Sequence, residues 1–185
     1  MGLGDYLGKM RGDEARQFGI GFRGLDLGEV FWTWLGAALA IGITAALSAE
    51  FFEPRDSVLI IGSFGASAVL VCGAIRSPMA QPRNLIGGHL VSAAIGVASF
   101  KLVGDNFVAA GLAVSLAIAA MTVTDTLHPP GGATALIAVV GGGTIHELGF
   151  SFVLIPAGLG ALLLLLVALV VNNIPKARRY PLYWV

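Results

Sequence analysis

The sequence is poor in charge and in cysteine. Charged residues make up 12% of its 185 residues, against roughly a quarter in soluble domains, so the composition excludes an ordinary soluble protein. Eleven basic and eleven acidic residues give a formal net charge of 0, which leaves no basic surplus for a nucleic-acid partner. The one cysteine, Cys72, cannot form an internal disulfide.

Motifs for catalysis, cofactor binding and metal binding are also missing. No nucleophile is paired with a base in a recognisable motif, and no glycine-rich loop with a lysine follows a strand. The three histidines are scattered, without clustered carboxylates or cysteines. We therefore predict no enzyme activity, no cofactor and no metal site.

The sequence does have long apolar runs. It is 56% hydrophobic with a mean hydropathy of +0.85, which predicts an all-α integral membrane protein that contacts the lipid bilayer. The stretch from Gly131 to Ile145 is short, and the sequence leaves open whether it is a sixth span or a re-entrant helix. Five longer runs predict spans over Phe31 to Ala49, Ser57 to Ile75, Asn84 to Phe100, Phe107 to Thr124 and Phe150 to Val171.

Three regions follow from these runs. Residues 1–30 are predicted to be a cytoplasmic or interfacial tail, 31–171 the transmembrane domain, and 172–185 a basic and aromatic cytoplasmic tail. With six crossings, nine of the eleven lysines and arginines fall on the side of the termini, and only Arg55 and Lys101 on the other. The positive-inside rule then predicts that both termini are cytoplasmic, and we expect a bacterial inner membrane.

Two glycine-led strings resemble each other. Gly65-Ala66-Ser67-Ala68-Val69-Leu70 matches Gly132-Ala133-Thr134-Ala135-Leu136-Ile137 in the order glycine, alanine, hydroxyl, alanine and two aliphatics. The match predicts two repeats, over about 31–103 and 106–171. With three crossings each, the repeats are inverted relative to one another, an organisation typical of transporters.

If each string interrupts a span, two half-helix N-termini converge near the middle of the bilayer. Open backbone N–H groups and the hydroxyls of Ser67 and Thr134 then suit a small anion. The alternative is that the small residues only allow close helix packing. The predicted substrate-binding residues are Gly65, Ala66, Ser67, Gly131, Gly132, Ala133 and Thr134.

Five residues are candidates for gating or proton relay. His128 follows Asp125 by three residues, which permits an ion pair or a proton relay on one helix face, or a structural hydrogen bond. Pro129 and Pro130 end one element and begin the next, or form a tight turn at the membrane surface. His89 lies in an uncharged span and has either a substrate role or an interhelical bond.

Arg76 and Arg83 bracket a proline-containing loop on the predicted cytoplasmic side. Their positive potential can attract anions to an inner mouth. They are equally explained as topology determinants or as contacts to lipid headgroups.

Several unusual strings resemble the HPP family of integral membrane proteins. They are His128-Pro129-Pro130-Gly131-Gly132-Ala133-Thr134-Ala135-Leu136, the run from Arg76 to Asn84, and Gly87-Gly88-His89. The resemblance covers Trp32 to Val171 and implies transport, because members from chloroplasts and cyanobacteria are associated with nitrite uptake. The usual family description has four membrane helices, fewer than the six predicted here.

The resulting hypothesis is a transporter or channel for a small monovalent anion, with nitrite favoured. Channel-like and proton-coupled transport both remain open, and small helix faces predict a homo-oligomer. The alternatives are a membrane scaffold or sensor without transport activity, and a carrier of a neutral or cationic solute. The last is disfavoured because no carboxylate lies within the five long spans.

Overall fold

A computed structural model describes residues 26–52 and 54–184. All regular structure within these ranges is helical, which confirms the predicted all-α class. The helices are α1 (Leu27–Phe51), α2 (Pro54–Ala68), α3 (Pro82–Val103), α4 (Phe107–Val123), α5 (Pro129–Val140), α6 (Gly143–Leu148) and α7 (Leu159–Asn173). Two of them adjoin π-helical turns: α2 continues through Val69–Gly73, and Val153–Gly158 leads into α7.

Six of these elements are apolar enough to match the predicted spans. Three segments are long enough to cross a membrane unaided, namely Leu27–Glu50, Pro82–Val103 and Val153–Asn173. The others are the shorter apolar helices Ile60–Gly73, Phe107–Val123 and Pro129–Val140. A description that counts only long helices therefore finds fewer than six spans.

Polar side chains and prolines define where the helices begin. The Asp26 carboxylate accepts the N–H groups of Gly28 and Glu29 at 2.9 and 3.2 Å, which caps α1. Asn106 caps α4 in the same way. Pro129 and Pro130 open α5, where the missing proline N–H groups remove no helical bond.

One end of the bundle is rich in positive charge. There the end of α2 lies beside the start of α1 and the end of α7, because the Cys72 carbonyl accepts from Thr33 and the Val71 carbonyl from Asn172. We call it the basic end. Its cationic residues are Arg76, Arg83, Lys176, Arg178 and Arg179.

Helix α5 contains most of the short stretch from Gly131 to Ile145. It lies beside α3 and runs in the same direction, since His128 faces Gly88 and Ala135 faces Gly96. Its 12 residues cover about 18 Å. At the opposite end of the bundle, the Gly142 N–H donates to the Asp56 carboxylate at 2.7 Å. The segment therefore runs through the bundle toward the opposite end without turning back.

The packing follows two inverted three-helix units. Helix α1 packs on α2 of its own unit and on α7 of the other. Helix α4 correspondingly packs on α5 of its own unit and on α3 of the other. The two units do not pack identically, because α3 contacts α5 far more extensively than the corresponding pair, α7 and α2, contact each other.

The first predicted interruption does not exist. Gly62 and Gly65 lie within α2, which continues from Pro54 to Gly73. A glycine inside a helix costs about 1 kcal/mol. Breaking the helix in an apolar environment costs several kcal/mol for each unsatisfied backbone group. The prediction of paired half-helices is therefore wrong for the first string, whereas α5 supplies the second.

Candidate functional site

The start of α5 does not present the open N–H groups predicted for an anion site. Pro129 and Pro130 have no N–H, and the N–H of Gly131 donates to the His128 carbonyl at 2.8 Å. Gly65, Ala66 and the Ser67 backbone lie inside α2. The predicted backbone-built anion site is therefore wrong, because neither string supplies a set of unpaired amides.

Instead, five polar side chains from α2, α3 and the start of α5 form a continuous hydrogen-bonded chain. Each has at most 3% of its surface exposed, although apolar residues surround it. We call this group the buried polar chain. Its members are Ser63, Ser67, His89, His128 and Thr134.

The links of the buried polar chain are short and uniform. The Thr134 hydroxyl lies 2.8 Å from the Ser63 hydroxyl and 2.8 Å from His89 Nδ1. The Ser67 hydroxyl lies 2.8 Å from His89 Nε2 and 2.8 Å from His128 Nε2. His89 therefore joins the hydroxyls of α2 and α5 through both of its ring nitrogens.

A backbone carbonyl sets the direction of the chain. His128 Nδ1 lies 2.8 Å from the Met79 carbonyl, which only accepts, so Nδ1 carries a proton. When both imidazoles are neutral, His128 Nε2 accepts from Ser67, and Ser67 accepts from His89 Nε2. Thr134 then donates to His89 Nδ1. Ser63 has one hydroxyl proton, which faces both the Thr134 hydroxyl and the Pro130 carbonyl. The Met79 carbonyl thus orients the protons from His128 to Thr134.

Helix spacing and glycine create this convergence. Ser63 and Ser67 are four residues apart and therefore share one face of α2. A Cβ added at Gly88 would collide with the His128 Cβ and lie 2.9 Å from the Thr126 carbonyl. One added at Gly131 would lie 2.6 Å from the Ser92 hydroxyl. These glycines allow α3 and α5 to approach closely enough for His89 and Thr134 to bond.

A small void adjoins the hydroxyl end of the buried polar chain. Its volume is about 10 Å³, and Ser63, Thr134, Phe64 and Pro156 line it. That volume is at the lower limit for one water molecule. The Phe64 ring also contacts His89 edge-on, with ring centroids 5.4 Å apart. Phe64 therefore closes one side of the site.

The structure separates the remaining residues predicted to bind substrate. Ala66 faces outward from α2, and a Cβ at Gly65 would meet nothing within 4 Å. Gly132 and Ala133 line an apolar groove between α4 and α5. Among the predicted substrate-binding residues, the structure therefore brings only the side chains of Ser67 and Thr134 together.

Only some of the residues predicted for gating or proton relay lie at the buried polar chain. His89 and His128 join the buried polar chain, and the Pro130 carbonyl accepts from the Ser63 hydroxyl at 3.0 Å. Pro129 is exposed at the start of α5. Asp125 does not pair with His128.

Backbone geometry explains why Asp125 and His128 separate. Helix α4 ends at Val123, and Asp125 has a left-handed φ of 56°, so the two residues do not share a helix face. Asp125 points outward and forms an exposed ion pair with Arg83, with 3.9 Å between nitrogen and oxygen. The predicted proton relay between Asp125 and His128 is therefore wrong.

Arg76 and Arg83 both lie at the basic end but in different surroundings. Arg83 donates to the Thr124 carbonyl at 3.0 Å, in addition to its pairing with Asp125. Arg76 lines a cavity beside the start of α1. The two arginines therefore do not form one mouth.

The C-terminal segment holds the loop that orients His128. The Tyr180 hydroxyl donates to the Ala80 carbonyl at 2.7 Å, next to the Met79 carbonyl that binds His128. The Leu182 N–H donates to Gln81 Oε1 at 2.9 Å. This segment is therefore a structural support of the site rather than a free tail.

Sequence reasoning missed Ser63, the Met79 carbonyl and Tyr180. The spacing of Ser63 and Ser67 was a usable signal, because residues four apart on a helix share one face. No sequence pattern linked Tyr180 to Ala80, which lies 100 positions away.

Tyr180→Phe is expected to loosen this support. Burial raises the pKa of the Tyr180 hydroxyl, which therefore stays protonated and donates at neutral pH. Its removal leaves the buried Ala80 carbonyl unpaired, at a cost of about 1 kcal/mol. Amide hydrogen exchange in residues 76–81 is expected to accelerate about fivefold. Tyr183→Phe is the matched control, since Tyr183 is 43% exposed, and equal acceleration in both variants would contradict this role.

Comparison with known proteins identifies the family of this fold. The sequence profile described as "HPP, transmembrane region" matches residues 23–181, which include the whole buried polar chain. The chain belongs to the HPP transmembrane family. This confirms the resemblance found in the sequence and, together with the apolar helices, an integral membrane protein.

Two curated HPP relatives are transmembrane proteins of Dictyostelium discoideum. One is 45% identical over 163 residues, which cover 86% of this chain and 52% of the relative. The other is 49% identical over 163 residues, which cover 86% of this chain and 57% of the relative. The chain thus spans a little over half the length of these relatives. No solved structure matches the chain.

Proposed function

We propose that this HPP protein transports a small monovalent anion, with nitrite the first candidate, through a site formed by the buried polar chain. The observation that carries the proposal is five polar side chains, two of them histidines, buried in an apolar bundle. Polar and ionisable groups within a membrane are costly, and they commonly mark ion and proton pathways. The family resemblance to proteins associated with nitrite uptake supports the choice of anion.

The chemistry of the buried polar chain suits a solute that must be released. Its hydrogen bonds involve hydroxyls, imidazoles and carbonyls, and none involves a charged side chain. Such groups solvate an anion without the strong attraction of a fixed lysine or arginine, which favours release. In this proposal the buried polar chain binds the anion, and the helix N-termini do not.

We also propose that transport is proton-coupled. The buried polar chain contains two imidazoles, and each has one nitrogen that accepts a hydrogen bond when the ring is neutral, His128 Nε2 from Ser67 and His89 Nδ1 from Thr134. A proton that enters beside the anion can bind to one of these nitrogens, so that an imidazolium accompanies the anion and the pair crosses without net charge. A channel-like mechanism is the alternative, and a pH gradient distinguishes the two.

The route past the site is closed in this conformation. An apolar cavity of about 170 Å³ lies among α1, α2 and the start of α7, and it shares Phe64 and Pro156 with the void beside Ser63. The Phe64 ring stands between the two spaces. Passage of an anion therefore requires Phe64 to move, and the non-helical Ile155 beside Pro156 provides a place where α7 can bend.

Orientation and assembly are part of the proposal. The basic end carries five of the described lysines and arginines, which supports its placement at the cytoplasmic surface. Both termini are then cytoplasmic, in a bacterial inner membrane. Small residues on outward helix faces, such as Gly62 and Gly111, favour a homo-oligomer. No enzyme activity is proposed.

Thr134→Val tests the site with minimal change in shape. The substitution removes the hydroxyl that joins Ser63 to His89, and we expect nitrite uptake into reconstituted vesicles to fall at least about tenfold. Thr122→Val is the matched control, because Thr122 is exposed on α4 and bonds only to its own helix at Ile118. Uptake by the control is expected to match the unmodified protein.

The same vesicles distinguish the other functions. A well-folded protein that moves no anion would support a membrane scaffold or sensor, in which the buried polar chain only joins helices. Competition among nitrite, nitrate, formate, chloride and bicarbonate identifies the transported anion. Uptake of a neutral or cationic solute instead of an anion would contradict the proposal of anion transport. An uptake rate that does not change when a pH gradient is imposed would contradict proton coupling.

A further inference from the structure

The basic end contains an open cavity that the proposed transport route does not use. Its volume is about 860 Å³, and it lies between the start of α1, the loop after α2 and the C-terminal segment. Its lining includes three arginines, Arg76, Arg178 and Arg179. Asp26 and Glu29 also line it, so the lining carries a net charge of +1.

Arg178 lines this cavity and is almost completely buried. Only 6% of its surface is exposed, although it carries a full charge. Its terminal nitrogens bond to the Cys72 carbonyl and to Thr33, and one lies 3.7 Å from the Glu29 carboxylate. Its Nε is buried without a hydrogen-bond partner. This nitrogen is out of reach of solvent, so Arg178 acts on a ligand in the cavity through the positive charge of its guanidinium.

The cavity retains positive charge after its internal pairs are counted. Its acidic residues are engaged, because Asp26 caps α1 and Glu29 faces Arg178. Arg76 and Arg179 are exposed and form no ion pair or hydrogen bond within the described residues. Two guanidinium groups thus remain free to bind an anion, and arginine binds phosphate oxygens in a bidentate geometry.

The remaining walls include apolar side chains, and exposed tryptophans lie near this end of the bundle. Val30, Ile75 and Leu182 line the cavity beside the arginines. Trp34 and Trp184 are 62% and 55% exposed near this end, as expected for aromatic residues at a membrane interface. An amphiphile matches this combination of apolar and cationic walls better than a free ion does.

From these features we infer that the cavity binds the phosphate group of an anionic phospholipid. The phosphate lies between Arg76 and Arg179 and approaches Arg178, while the glycerol and the first acyl carbons contact the apolar wall. Inorganic phosphate offers the same oxygen atoms but gains nothing from that wall. The inference is independent of transport, because the buried polar chain shares no side chain with this cavity.

Thermal unfolding of the full chain in detergent micelles tests this site. Phosphatidylglycerol is expected to raise Tm by about 5 °C, whereas phosphatidylcholine and inorganic phosphate raise it much less. Arg76→Gln and Arg179→Gln are each expected to weaken the apparent phosphatidylglycerol affinity about fivefold. Both side chains are exposed and unpaired, so these substitutions leave the fold intact.

Arg83→Gln is the matched control, because Arg83 lies at the same end, outside the cavity, and pairs with Asp125. It is expected to bind phosphatidylglycerol like the unmodified protein. An equal loss in this control would show that general surface charge, and not the cavity, attracts the lipid. Equal effects of phosphatidylglycerol and phosphatidylcholine would overturn the inference, and so would full stabilisation by inorganic phosphate.

Discussion

His89→Ala is expected to abolish nitrite uptake and to lower the free energy of unfolding by about 3 kcal/mol. His89 is completely buried and bonds through Nδ1 to Thr134 and through Nε2 to Ser67. Alanine leaves both hydroxyls without their shared partner and creates a cavity where the ring contacted Phe64. The buried polar chain is then cut in the middle, so neither an anion nor a proton can pass along it.

Ser99→Ala is the control for loss of a buried polar group on the same helix. Ser99 is 6% exposed, and its hydroxyl bonds back to the Ile95 carbonyl within α3. We expect its unfolding free energy to change by about 0.6 kcal/mol or less. Reversible unfolding in mixed micelles gives the stability, and vesicle uptake gives the activity. If His89→Ala retained uptake, the proposed site would be wrong.

Gly96→Leu is expected to destabilise the protein by about 3 kcal/mol and to stop transport. A Cβ at Gly96 would lie 2.5 Å from the Ala135 carbonyl oxygen and 2.8 Å from the Ala135 Cα. These are backbone atoms of α5, which cannot move aside as a flexible side chain can. The helices α3 and α5 must therefore separate, and the bond between His89 and Thr134 lengthens with them.

Gly65→Leu is the matched control and also tests the hypothesis based on sequence alone. That hypothesis placed Gly65 at a half-helix N-terminus, where a bulky side chain would block an anion. In the structure a Cβ at Gly65 meets nothing within 4 Å, so we expect stability and nitrite uptake to be unchanged. Uptake and unfolding are measured as for His89→Ala. Loss of uptake without loss of stability in Gly65→Leu would contradict the structural assignment.

The spans were predictable because hydrophobic length is a local property. The predicted span Phe31 to Ala49 corresponds to α1, Leu27–Phe51, and Phe107 to Thr124 corresponds to α4, Phe107–Val123. The start of α5 was also predicted, since Pro129 and Pro130 were expected to begin an element.

The interruption at Gly65 was wrongly predicted because glycine has two uses in a membrane helix. It either ends a helix or leaves a smooth surface on a continuous one, and the sequence looks the same in both cases. Within the apolar bundle a continuous α2 is more stable than an interrupted one, because it satisfies every internal N–H. At α5 the adjacent Pro129 and Pro130 remove that option, so only the second string interrupts a helix.

The candidate site was only partly predictable. Ser67, His89, His128 and Thr134 were each singled out from the sequence, but for separate reasons: hydroxyls at helix starts, a histidine in a span and a histidine at a break. These four side chains meet in the buried polar chain only because α3 and α5 approach each other closely. The expected pairing of His128 with Asp125 failed because sequence proximity does not determine the direction in which a turn projects its side chains.

The sequence by itself determined the class of this protein, its apolar spans and its concentration of arginine at one end. Apolar length and charge distribution act locally against water and lipid, so they need no knowledge of neighbours. Only the tertiary structure decided that His89 joins Ser67 to Thr134, and that Arg76 lies with Arg178 rather than with Arg83. Hydrogen bonds and cavities depend on atoms within a few ångströms of each other, and residues distant in the sequence meet there only after the helices have packed.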